Sequence, residues 1–140
     1  MKEKDFQIIF NKSNQIVGVH ELKITKGKSI PFSALQEHQE FYLNKAINGK
    51  LNIRIQDPPF NLGTSFATKR PFDAVTIEKV NAYVVILFYE PRKKKNFYYI
   101  TIQAWNYLKE TLNRKSITEN LAIEFASYSG YIKNDNMFYT

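Results

Sequence analysis

Cysteine is absent from this 140-residue chain, and histidine occurs only twice, at His20 and His38. The first absence excludes disulfides and thiolate-bound zinc, and the second leaves too few imidazoles for an ordinary histidine-based metal site. Any metal held here is therefore expected to be hard and oxygen-liganded, meaning Mg²⁺ or Mn²⁺. No apolar run approaches the roughly 20 residues that cross a bilayer, and no leader-like segment opens the chain. The expectation is a cytoplasmic protein with no membrane partner. Acid is also scarce relative to base: 20 Lys and Arg stand against 13 Asp and Glu, a formal charge of +7. Such a balance suits a polyanionic partner, because neutralising phosphates releases condensed counterions.

What is present is apolar and aromatic. Hydrophobic residues make up 44% of the chain and aromatics 15%, which argues for a packed core of single-domain size rather than disorder. Phe6, Ile9 and Phe10 mark a short amphipathic helix over 3–12. Residues 16–25 alternate as a strand. Ser33-Ala34-Leu35-Gln36 reads as a capping box opening a helix that buries Leu35, Tyr42, Leu43 and Ala46 and stops at Asn48-Gly49. Strands follow at 51–55, 72–77 and 82–89, the last an unbroken apolar run that belongs at the centre of a sheet. The stretch 57–70 is irregular and is expected to be a mobile loop. A strand over 97–102 leads into a helix around Trp105, Leu108 and Leu112. Ser116-Ile117-Thr118-Glu119 reads as a second capping box before a last helix ending near Phe125. Residues 1–126 form the expected single domain, and 127–140 show no period and stay an unassigned tail. The order of elements gives an α/β fold, a mixed sheet flanked by helices.

Chemistry concentrates at Glu21-Leu22-Lys23. Alternate side chains of a strand share a face, so this carboxylate and this ammonium project together. Phosphodiester hydrolysis needs a divalent cation to polarise the phosphate, and Mg²⁺ usually takes only one or two protein carboxylates. Glu21 and Lys23 supply half of such a site. Asp73, which follows Arg70-Pro71-Phe72 at the start of a strand, is the favoured second acid, with Asp5 and Glu3 on the first helix as rivals. The tripeptide by itself carries little, since nine Glu and sixteen Lys give about one Glu-x-Lys by chance. Lys26, Lys28, Lys69 and Arg70 flank these acids and are candidates for DNA-backbone contact, as is the basic turn Arg92-Lys93-Lys94-Lys95. His20 falls on the opposite strand face from Glu21 and reads as structural. His38 reads as a helix-surface residue.

The segment Glu-Leu-Lys-Ile-Thr-Lys-Gly-Lys-Ser-Ile-Pro-Phe-Ser-Ala-Leu-Gln-Glu-His-Gln, from Glu21 to Gln39, resembles the active-site strand and following helix of RecU-type Holliday junction resolvases, members of the PD-(D/E)xK nuclease superfamily. Lys-Arg-Pro-Phe-Asp, Ala-Tyr-Val-Val-Ile-Leu-Phe-Tyr, Pro-Arg-Lys-Lys-Lys-Asn-Phe-Tyr-Tyr-Ile and Arg-Lys-Ser-Ile-Thr-Glu-Asn-Leu-Ala extend the likeness over residues 3–126, to a group of phage and prophage RecU-like endonucleases. The resemblance implies a restriction-endonuclease-like fold. In it Glu21 matches the metal-binding acid, Lys23 the catalytic lysine, and Gln39 the glutamine of the next helix. It departs at the "PD" acid, which in the family precedes the (D/E)xK strand, whereas Asp73 follows it. The site would then be rearranged, with Asp73 and Glu21 sharing Mg²⁺. The implied activity is a Mg²⁺-dependent endonuclease on branched DNA. A four-way junction offers two symmetric strands to cut, so a homodimer is expected. The alternatives are a non-catalytic nucleic-acid-binding module of the same fold and a general DNA nuclease without junction preference.

Overall fold

The computed structural model describes residues 1–55, 72–93 and 95–140. The expected loop over 57–70, with Lys69 and Arg70, and Lys94 lie outside the described residues. In chain order the elements are α1 (Glu3–Lys12), β1 (Val19–Thr25), β2 (Ser29–Pro31), a 3₁₀ turn (Phe32–Ala34), α2 (Glu37–Asn48), β3 (Lys50–Arg54) and β4 (Ala74–Glu78). They continue with β5 (Ala82–Phe88), β6 (Lys95–Thr101), α3 (Ile102–Thr111), β7 (Ser116–Thr118), α4 (Glu119–Phe125), β8 (Tyr128–Lys133) and β9 (Asn136–Tyr139).

The main sheet is mixed and runs β1-β5-β6-β8-β9, with β1 parallel to β5 and every other pairing antiparallel. Two small ribbons accompany it, β2 with β7 and β3 with β4. All seven residues of β5 are buried, as an apolar run between two neighbours and beneath two faces must be. Its alternation divides the core. Val84, Ile86 and Phe88 face a cluster that includes Leu43 of α2 and Trp105 of α3. Tyr83, Val85 and Leu87 face Phe6, Ile9 and Phe10 of α1. Among the described residues β1 pairs only with β5 and so is an edge of the sheet. No helix among the described residues is long and apolar enough to cross a membrane.

Several boundaries differ from the sequence reading, each for a local reason. The first strand begins at Val19 rather than Ile16, because Gly18 turns the chain at φ +151° and Val19 N–H then bonds to Asn81 O (2.9 Å). The first capping box is displaced by three residues. Phe32–Ala34 form the 3₁₀ turn, Leu35 is extended, and α2 starts after Gln36, whose N–H donates to Gln39 Oε1 (3.0 Å). Tyr42, expected in the core, is 49% exposed, while Leu43 and Ala46 are buried as the spacing requires. Ser116–Thr118 pair with β2 instead of opening a helix, and Thr118 caps α4 by accepting from Leu121 N–H (3.3 Å). Residues 127–140 add two strands to the main sheet. Their turn, Asn134-Asp135, holds both residues at positive φ (51° and 56°), the geometry of a tight hairpin turn.

Candidate functional site

Glu21 and Lys23 lie on the face of β1 that looks toward α2, two residues apart as the pleat dictates. Lys23 Nζ sits 3.4 Å from Glu21 Oε1, and Gln39 Nε2 donates to the same oxygen at 2.8 Å. Lys23 is 8% exposed, the buried charged side chain among the described residues. A buried ammonium needs a counter-charge, and Glu21 supplies it. Gln39 is fixed at both ends of its amide: Oε1 takes the Gln36 N–H and Nε2 holds Glu21. The start of α2 thus positions the carboxylate. Both contacts fall on Oε1, and Oε2 takes part in neither.

Because β1 is an edge strand, no further strand among the described residues pairs with its outer side. A cleft of about 630 Å³ runs along α1, lined by Glu3, Gln7 and Asn11 of α1, by Gln15, and by His20, Glu21 and Leu22 of β1. Glu3, ranked below Asp73 in the sequence reading, therefore shares a cleft with Glu21. The signal was present: Glu3, Gln7 and Asn11 are a polar stripe at i, i+4, i+8, beside the apolar Phe6, Ile9 and Phe10. Asp5 is turned elsewhere. Its Oδ2 accepts from Lys2 N–H (2.8 Å), and it lines a different cleft with Ile8, Lys12 and Tyr89. Asp73 stands at the end of the β3–β4 ribbon, where its carbonyl accepts from Ile55 N–H (2.9 Å). The residues that the structure brings together are Glu21, Lys23 and Gln39, and Asp73 belongs to a separate ribbon. Among the described residues no group of three or more His, Cys, Asp and Glu is placed to hold a metal. Mg²⁺ usually takes only one or two protein carboxylates, a number that Glu21 with one further acid would meet.

The described basic candidates gather at one end of the main sheet. Lys26 and Lys28 are exposed just beyond the C-terminal end of β1, and Tyr89 N–H bonds to Thr25 O (2.9 Å), bringing the turn after β5 alongside. In that turn Arg92 is exposed, and Lys93 pairs with Glu90 at 2.9 Å. Lys93, with a smaller effect from Lys28, holds the Glu90 carboxyl below its usual range. Lys95 Nζ lies 5.3 Å from the Tyr89 ring centroid. His20 is on the α1 face, stacked on Tyr83 (5.8 Å) and edge-on to Phe10 (5.1 Å) and Tyr99 (5.7 Å). Burial lowers the basicity of its imidazole, against an opposing bond to the Ile16 backbone. His38 is exposed on α2.

Comparison of the chain with family models, with curated proteins and with solved structures found no match.

Proposed function

We propose that this protein is a metal-dependent endonuclease acting on DNA, with a restriction-endonuclease-like arrangement of the mixed sheet and a preference for branched duplexes. The observation that carries the reading is the Glu21 carboxylate, held by Lys23 and Gln39 on an edge strand, in a residue that also borders a cleft. Glu21 is the metal-binding acid, and Glu3 across the cleft or Asp73 on the ribbon is the second. Mg²⁺ bound there would polarise a phosphate and lower the pKa of an attacking water. Lys23 keeps an ammonium beside that position and can hold a water or a phosphate oxygen. Gln39 fixes the Glu21 rotamer, so that little reorganisation remains when substrate binds. Lys26, Lys28, Arg92 and Lys93 would take the backbone phosphates, with Lys69, Arg70, Lys94 and Lys95 as further candidates.

The test is cleavage of junction, flap, duplex and single-stranded DNA with Mg²⁺ and with EDTA. Glu21→Gln should abolish cleavage and leave binding largely intact. Glu3→Gln and Asp73→Asn then separate the two candidate acids, since the one that holds the metal abolishes cleavage and the other does not. Full cleavage by Glu21→Gln would overturn the assignment. A second reading, a non-catalytic nucleic-acid-binding module, is favoured by the way Lys23 and Gln39 both engage one oxygen of Glu21. It predicts metal-independent binding and no nicking of any substrate.

A further inference from the structure

The outer face of α2 carries an apolar residue that the fold leaves uncovered. Phe41 is 59% exposed, with the Lys45 ammonium 5.7 Å from its ring centroid. It borders a groove of about 730 Å³ between α2 and α3, lined by Phe32, Leu35, Asn44 and Lys109. One helical turn before Phe41 stands exposed Glu37, and one turn after it exposed Lys45.

This stripe is charge-symmetric about its centre, acid four residues to one side and base four residues to the other. Two such helices packed antiparallel with the Phe41 positions in register place Glu37 of each opposite Lys45 of the other. We propose that this face is a docking surface for a second copy of the chain, built on an antiparallel α2–α2 contact centred on Phe41. Each Phe41 ring would enter the groove beside its counterpart. A two-fold contact uses the same patch twice and so demands self-complementarity of this kind. A phosphate backbone fits the face poorly, because Glu37 and Glu40 flank the ring and Glu40 already holds Lys109 at 2.9 Å. The 12-residue helix is only about 18 Å long. A stable dimer buries roughly 800 Å² per partner. The seam must therefore extend over α3, whose Lys109 borders the same groove. Nothing in this seam depends on the chemistry at Glu21.

Sedimentation of the full chain tests it. The wild type should be a dimer, and Phe41→Glu, at an exposed position, should fold normally and be a monomer. Glu37→Lys and Lys45→Glu should each weaken association on the order of tenfold, since each sets like charges together twice per dimer. The combined variant should restore dimerisation, because the swapped charges meet again only across the seam. Within one chain positions 37 and 45 are two turns apart, which rules out intramolecular rescue. A wild type that stays monomeric overturns the proposal, as does a folded Phe41→Glu that still dimerises or a combined variant no better than the single ones. A monomeric wild type whose Phe41→Glu variant loses affinity for a DNA oligonucleotide would assign the face to nucleic acid instead.

Discussion

Replacing Glu21 by glutamine should destabilise the protein more than removing the lysine that it neutralises. The two partners are unequally buried, with Lys23 at 9% side-chain exposure and Glu21 at 26%. At 3.4 Å their gross attraction is about 5 kcal/mol for an effective dielectric of about 20, most of it offset by desolvation. Breaking a fully buried pair costs about 3–5 kcal/mol, because the surviving charge is left uncompensated. Here the surviving charge is the deeper one. Glutamine keeps an oxygen for Gln39 Nε2, and water reaches part of the site, so the expected cost of Glu21→Gln is about 2 kcal/mol. For a chain of this length that lowers Tm by roughly 8 °C. Lys23→Met keeps the apolar stem and leaves Glu21 with Gln39 and solvent, at a cost of about 1 kcal/mol or less. The double variant should be no worse than Lys23→Met alone. Urea unfolding followed by far-ultraviolet circular dichroism measures all three. A Glu21→Gln midpoint equal to or above that of Lys23→Met would refute the reasoning, because the order of costs follows directly from the order of burial.

Mg²⁺ should raise the wild-type Tm in a saturable way through binding to the folded state, and Glu21→Gln should remove most of that rise, read by thermal unfolding across a Mg²⁺ titration. Gly130→Ala should cost more than about 2 kcal/mol, since a Cβ there collides with the Phe138 carbonyl and the Phe97 ring, and denaturant unfolding will show it. Burial holds His20 below its ordinary 6.5, so the unfolded chain takes up a proton that the folded chain resists as pH falls through that value. The stability this contributes is complete above the unfolded pKa and is lost below it; His20→Phe should therefore shrink the fall in unfolding free energy between about pH 7.5 and about pH 5.

The parts of the fold legible in the sequence are those where one local rule acts alone. The apolar run 82–88 has nowhere to go but the centre of a sheet, and Phe6, Ile9 and Phe10 can share a face only on a helix. The capping boxes misled because a serine followed by Gln or Glu three residues later is satisfied only if the backbone turns there. At Ser33 a 3₁₀ turn intervenes, and at Ser116 the chain pairs with β2 before α4 begins. β8 and β9 lacked a visible period because they alternate small, aromatic and polar residues. Gly130 is buried beneath Phe97 where an apolar side chain would normally announce the strand, and the Asn134-Asp135 turn lacks the glycine that usually marks such a hairpin.

The candidate site divides along the same line. Glu21 and Lys23 needed only the two-residue pleat to be placed together. Gln39 was reached through resemblance, although its position depends on the displaced helix start: had α2 begun at Ser33, the Gln36 N–H would lie inside the helix and Gln39 would lose the contact that locks its amide. The second acid needed tertiary knowledge of another order. Asp73 opens a strand that pairs with β3 in a ribbon of its own, and sequence pattern alone does not rank it against Glu3. Glu3 reaches the same cleft as Glu21 because α1 covers one face of the sheet while β1 remains its edge, and neither fact is written in residues 1–25. An acid on a helix and an acid on a strand share no sequence period. What puts them on one cleft is the place of β1 beside β5, a strand that begins only at Ala82.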